Sequence, residues 1–267
     1  MRQKMRQKMR QKMSDKSKVR FAATVSYDGA DFYGSQRQPE IRTVQGEIEA
    51  ATSDLFNTVT PVSLAGRTDA GVHAWGQVAS FEAITSLSAE TVERALGARL
   101  PDDIAIRNLQ LVPSDFDPRR WAESRWYRYT LLASDNKFPL LRTFAWRVGA
   151  ALDIENMSEA ASFLTDIQDF RSCSGPVDSG RSTQRNVTSA KFACRDCWIW
   201  FDITANAFLP QMVRRIMGAL VRVGKESLSL AEFSILLREG DVASVGPVAP
   251  PHGLALQKVT YARGYQS

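Results

Sequence analysis

From Val19 onward, apolar residues recur at intervals that separate strands from helices. Val19, Phe21, Ala23, Val25 and Tyr27 occupy alternate positions, the period of a half-buried strand, and Asp28-Gly29 supplies the turn that ends it. Thr43 stands where an N-cap belongs, ahead of a helix predicted to run to about Phe56. Two strands follow over about 59–66 and 76–82, joined by the run GRTDAGVHAW. Ser88 is placed to cap the next helix, which fades near Pro101, and Ile104, Ile106, Leu109 and Leu111 mark another strand. The order is β-α-β-β-α-β.

The second half repeats it. A strand is predicted over about 124–133, a helix over 155–166 and two strands over 186–205, where Ile199, Phe201, Ile203 and Ala205 alternate. A long helix over 207–224, a further helix near 230–239 and a strand from Leu254 to Tyr261 complete the chain. Each half therefore has the order of the ferredoxin-like, split-βαβ arrangement, with one added helix in the second. The expected class is α+β: two such halves form a mixed or antiparallel sheet with helices packed on it and a central cleft. The expected units are a disordered basic arm over 1–18, a first half over 19–117 and a second half over 118–267.

Charge changes this picture only through its distribution. Residues 1–20 hold nine Lys or Arg and one Asp, and the rest of the chain holds 25 basic and 28 acidic residues. The basic pI thus belongs to the MRQK-repeat arm, which has no apolar period and could add non-specific attraction to RNA. Two later stretches are arginine-rich: seven basic residues against Glu123 and Asp135 over 119–147, and nine against Asp178, Asp196 and Asp202 over 171–225. Arginine bias suits bidentate phosphate contacts, and a solvated face with local ion pairs fits equally well.

No apolar stretch reads as a membrane span, because Arg214, Arg215 and Arg222 interrupt the longest one. The basic start leads into Ser14, Asp15 and Lys16 rather than a secretory apolar core. Cys173, Cys194 and Cys197 cannot all pair within one chain, which favours a reducing cytoplasm. The Cys194-x-x-Cys197 pair lacks a fourth metal ligand, since His73 and His252 both sit inside other motifs, and no metal is expected.

The segment Gly66-Arg67-Thr68-Asp69-Ala70-Gly71-Val72-His73 is the most unusual in the chain. It is a loop held between two strands, with an arginine two residues from an aspartate. If both point inward, the cation would keep Asp69 ionised for work as a nucleophile or base. An Asx-turn with Arg67 exposed accounts for the loop alone at least as well.

GRTDAGVHA resembles the signature of the tRNA pseudouridine synthase A family. YDGADFYGSQRQPEIRTVQ, SRWYRY at 124–129, ANAFLPQMVRRIMGAL at 205–220 and APPHGLAL at 249–256 are similar to further family blocks, in family order, over about residues 19–262. The resemblance implies a pseudouridine-synthase-type sheet and a cofactor-free, usually homodimeric enzyme that isomerises uridines 38 to 40 in the tRNA anticodon stem-loop. It implies Asp69 as the catalytic aspartate, Arg67 as the arginine that displaces the target base, and Tyr127 as the tyrosine packed on the uracil. Arg214 would pair with the aspartate, and Leu254 would line the base pocket. A non-catalytic tRNA-binding or tRNA-folding protein on the same scaffold is the rival reading; it has no reason to keep an aspartate facing a phosphate-rich ligand.

The chemistry fits these assignments. The reaction needs no redox step or external energy, consistent with the lack of a nucleotide-binding fingerprint. Tyr127 offers a ring for a flipped base and a hydroxyl that could relay a proton, and it would also serve as an ordinary strand aromatic. On the predicted helix, Gln211, Arg215 and Arg222 cluster off the apolar arc while Arg214 stands apart beside Gly218. That leaves open one arginine at the site with two toward phosphate, and three solvated arginines. Pro210 and Gln211, and Trp126 before the tyrosine, depart from the family pattern; Pro210 is expected in the first helical turn, where proline is tolerated. His73 is expected to shape the loop by hydrogen bonding.

Overall fold

A computed structural model describes residues 17–178 and 180–266; of the arm expected over 1–18, residues 1–16 lie outside the described residues, and Ser17 and Lys18 belong not to a disordered arm but to the first strand, paired opposite Thr85 and Ile84. Strand β1 (Ser17–Tyr27) pairs antiparallel with β3 (His73–Thr85) and, on its other edge, with β4 (Ile104–Val112). Between them in sequence lie helix α1 (Val44–Phe56), strand β2 (Val62–Leu64), which pairs with β3, and helix α2 (Ala89–Gly97). The first unit therefore has the strand order β4-β1-β3-β2, which is ferredoxin-like.

The second unit repeats it with β5 (Ala122–Leu132), helix α3 (Ile154–Ser162), β8 (Gln184–Arg195), β9 (Trp198–Ala205), helix α4 (Met212–Gly224) and β10 (Leu254–Tyr261). Its order is β10-β5-β9-β8, with β7 (Asp166–Asp169) added at the edge and β6 (Trp146–Arg147) beside β5. Helix α5 (Leu230–Glu239) is the added helix. The two units join where β10 runs parallel to β3, Ala255 opposite His73 and Leu256 opposite Ala74, making one ten-stranded sheet. The α+β class with two βαββαβ halves is the observed architecture.

Local chemistry sets the helix starts. Thr43 and Ser88 each accept the N–H three residues on, Gly46 and Thr91, at 3.3 Å. Ser229 and Glu232 close a reciprocal capping box on α5. Alternation sets the strands: Ile199, Phe201, Ile203 and Ala205 are buried while the residues between them stay partly exposed. The Phe21 and Phe81 rings, opposite each other on β1 and β3, pack 5.5 Å apart within a hydrophobic cluster that runs through both halves. Truncating either ring to alanine should cost about 3–5 kcal/mol.

The differences lie at ends and edges. Strand β3 begins at His73, three residues before its predicted start, so strand geometry reaches into the GRTDAGVHAW run. Helix α3 stops at Ser162 rather than near 166. Helix α4 starts at Met212, not 207: Gln211 takes a left-handed φ of 60°, and the Pro210 carbonyl turns away to accept the Gly175 N–H at 2.8 Å. Pro210 thus precedes the helix and is not in its first turn. Among the described residues no helix is long and apolar enough to cross a membrane.

Candidate active site

A cleft of about 430 Å³ is lined by the loop between β2 and β3, the inward face of β5, residues around Pro176–Asp178 with Arg181 and Arg185, the approach to α4 and the start of β10. Arg67, Asp69, Tyr127, Arg214 and Leu254 all line it.

The loop is pinned at Thr68. Its N–H donates to the Ser35 hydroxyl at 2.8 Å, its carbonyl accepts the Ser35 N–H at 3.1 Å, and its hydroxyl pairs with the Tyr27 hydroxyl at 2.8 Å. Gly71 adopts φ +78°, which a side chain would resist, and the Val72 N–H donates back to the Asp69 carbonyl at 3.2 Å. His73 secures the far end: Nδ1 accepts the Gly29 N–H at 3.0 Å and Nε2 donates to the Thr143 carbonyl at 2.7 Å. It shapes the loop by hydrogen bonds.

This framework aims Asp69 at α4. Arg214 Nη1 donates to Asp69 Oδ2 at 2.8 Å, and Arg214 Nε donates to the Ala249 carbonyl at 2.8 Å. The arginine side chain is 15% exposed and the aspartate 37%, so the pair is shielded at one end and open to the cleft at the other. Among the described residues Asp69 Oδ1 has no hydrogen-bond partner. Gly218 allows this packing, because a Cβ there would overlap the Pro247 carbonyl. The backbone of that same strap returns the Ala249 N–H to the Arg214 carbonyl at 3.1 Å.

Of the two readings open for the loop, the one with Arg67 exposed is observed, and the arginine on Asp69 is Arg214, as the family resemblance implied. The Arg67 side chain is exposed at the cleft and, among the described residues, forms no ion pair. Residues two apart in this loop diverge, and the guanidinium on Asp69 comes from 145 positions away. Arg215 is not free for phosphate either: it donates to the Gln211 side chain at 2.9 Å and to the Ala243 and Gly246 carbonyls.

Tyr127 is buried on β5, its ring set edge-on to Phe208 with centroids 5.1 Å apart. Burial pushes its phenol well above the ordinary tyrosine range, the neighbouring Tyr27 and Asp69 add to this, and Arg125 opposes it. The hydroxyl therefore keeps its proton at neutral pH. Leu254 is buried at the start of β10, opposite Tyr129, and Leu256 lies opposite Tyr127. Sequence reasoning missed Arg125, which lines the same cleft, along with Phe208, Arg119, Arg181 and Arg185. Strand alternation could have found Arg125, since i and i+2 share a face with Tyr127.

Among the described residues no group of three or more His, Cys, Asp or Glu side chains is placed to hold a metal ion. Cys173 is buried and Cys194 is exposed at the β8–β9 hairpin.

A family model described as tRNA pseudouridine synthase matches residues 23–119 and 165–262. The chain belongs to this family. Similar proteins named tRNA pseudouridine synthase A include one from Moorella thermoacetica, 39% identical over 243 residues, covering 89% of this chain and 98% of that one. Another, from Chloroflexus aurantiacus, is 38% identical over 250 residues, covering 91% of this chain and 89% of its own. A third, from Thermosipho africanus, is 38% identical over 243 residues, covering 91% and 99%. As a tRNA pseudouridine synthase the chain is an isomerase acting on tRNA. Arg67 and Asp69 fall in the first matched segment, Arg214 and Leu254 in the second, and Tyr127 between them.

Proposed function

We propose that this chain converts uridine to pseudouridine at positions 38 to 40 of the tRNA anticodon stem-loop, without a cofactor, as a cytoplasmic homodimer. The observation that carries the chemical part is the ion pair of Asp69 with Arg214 at 2.8 Å, which leaves the second carboxylate oxygen facing a cleft walled by Tyr127. The choice of uridines and the dimeric state follow from the resemblance of the five sequence blocks to the tRNA pseudouridine synthase A family.

The target base is stacked in RNA and must be flipped before its sugar can be reached. Arg67, exposed at the cleft, is suited to occupying the space the base vacates. Arg119, exposed at the cleft, suits a phosphate beside the target. The C1′–N1 bond then breaks with both electrons leaving on the uracil, Asp69 acting at the ribose through its free oxygen. The ring turns, C5 supplies the pair that bonds C1′, and the C5 proton is exchanged for one on N1. Atoms and electrons balance within the nucleotide, so no co-reactant enters. Tyr127 holds the detached ring, a stack of about 1–3 kcal/mol, and its protonated hydroxyl serves as the proton relay. Leu254 bounds the base pocket.

Mapping pseudouridine in tRNA from cells with and without this protein tests the reading. Loss confined to uridines 38 to 40 is expected; an unchanged map would overturn it. Sedimentation of the purified protein tests the dimer.

A further inference from the structure

Arg125 carries the most heavily buried cation among the described residues and has no counterion. It is the only Lys or Arg there that is buried, at 8% exposure. Its four Nη hydrogens go to backbone carbonyls: Nη1 donates to Ala122 at 3.2 Å and Asn206 at 2.7 Å, and Nη2 to Ala65 at 3.2 Å and Arg119 at 2.7 Å. Among the described residues no carboxylate pairs with it, whereas the partly exposed Arg20, Arg42, Arg128 and Arg214 each have one. Burying a charge is costly unless it is paired, and an apolar side chain would fill the space at less cost. A cation retained in this way fits a negative charge that arrives with the ligand.

Its position says where that charge appears. Arg125 lines the cleft and lies two residues before Tyr127 on the same face of β5. Ala65 immediately precedes the loop that carries Asp69, and Asn206 opens the segment that carries Phe208, so one guanidinium joins three walls of the site. Its field is felt at Tyr127, where it favours the anionic form of the phenol against the effect of burial. An anion stacked against that ring experiences the same field.

We propose that Arg125 is a positioning residue for pseudouridine formation: its carbonyl-held guanidinium aligns the Asp69 loop with Tyr127 and steadies the uracil anion released when the glycosidic bond breaks. This rests on the reaction assigned above. The bond that breaks is C1′–N1, and its electron pair spreads from N1 onto the two ring carbonyls until C5 returns a pair to C1′. Arg125 neither gives nor takes a proton and acts through its charge, since its Nη hydrogens are already committed.

The test compares the full-length protein with Arg125→Lys and Arg125→Met on tRNA carrying uridine or 5-fluorouridine at the target, reading single-turnover rate, tRNA affinity and melting temperature. Arg125→Met should lose roughly 10²-fold in rate on uridine, the scale of one preorganised electrostatic contact, with tRNA affinity nearly unchanged. Arg125→Lys should recover most of it. Fluorine stabilises the ring anion by itself, so the loss measured as glycosidic bond breaking in 5-fluorouridine should shrink to below about tenfold. Equal losses on both substrates, or no rescue by lysine, would overturn the charge role and leave a structural strut. A near-normal Met variant would overturn the proposal altogether. Should Arg125→Met fail to fold, Arg125→Gln, which still donates to a carbonyl, carries the same substrate comparison. A wild-type protein that makes no pseudouridine would sink the proposed function instead, before any variant is compared.

Discussion

Arg125 and Arg128 stand three residues apart on β5 and face opposite sides of the sheet. Arg128 donates through Nε and Nη2 to both oxygens of Asp202, each at 2.8 Å, and Trp126 Nε1 donates to the same carboxylate at 2.8 Å. Its guanidinium also lies 5.5 Å from the Trp126 ring and 5.9 Å from that of Trp200. The hydrogen bond to Asp202 raises its pKa further above the ordinary arginine value. Burial pushes that of Arg125 down. On one face, charges complete one another. On the cleft face a guanidinium lacks a carboxylate and a carboxylate keeps one oxygen open, which is the difference between a group that holds the fold and a group that waits for substrate.

Changes on the cleft face should therefore cost rate, and changes on the other face stability. After Asp69 itself, the largest effect is expected at Tyr127. Tyr127→Phe should bind tRNA normally and turn over roughly 10²-fold more slowly in single-turnover assays, as for loss of a general acid–base group. Tyr127→Ala should also weaken tRNA binding by up to about 1–3 kcal/mol. A Phe variant at normal rate would reduce the residue to stacking.

Arg214→Ala is expected next. It frees Asp69 Oδ2 and leaves the Ala249 carbonyl unpaired, so single-turnover rate should fall by roughly tenfold or more. Denaturant unfolding should register a loss of about 1–3 kcal/mol. A stability loss without any loss of rate would place Arg214 with Arg128, among the structural pairs.

Asp202→Asn should do the reverse. The pair is partly exposed, at 35% and 26%, so about 1 kcal/mol of stability is expected to go while single-turnover rate stays as it was. A rate defect of the Tyr127 kind would erase the contrast between the faces. The smallest effect belongs to the arm. Removing residues 1–16 takes away seven basic side chains and should lower tRNA affinity only at low salt, with a shallower salt slope.

Much of the fold was legible because its signals are local. The alternation from Val19 to Tyr27 and the hydroxyls of Thr43 and Ser88 act within a few residues of themselves, and β1 and both caps follow them. Strands β6 and β7 were not legible: two and four residues hold too little pattern, and pairing partners create them. The start of α4 was misread because the Gly175 N–H, 35 residues upstream, draws the Pro210 carbonyl out of helical geometry. The site divides in the same way. The motif resemblance pointed to Asp69, Tyr127, Arg214 and Leu254, and they line one cleft. Nothing in the spacing of Arg67 and Asp69 revealed that Arg214 would be the partner, because i, i+2 proximity in a loop sets no contact. Arg125 was visible only as one arginine in a basic stretch, and its missing counterion is a property of the packed sheet.

Catalysis turns on Asp69, and Asp69→Asn tests this most directly, because the amide keeps the size of the carboxylate and one acceptor oxygen for Arg214 while removing the charge and the second acceptor. The measurement is single-turnover pseudouridine formation in tRNA beside tRNA affinity for the same preparation. We predict affinity close to that of the wild type and a rate lower by roughly 10³-fold or more. Near-normal pseudouridine formation by the Asn variant would contradict the assignment of this carboxylate as the reacting group.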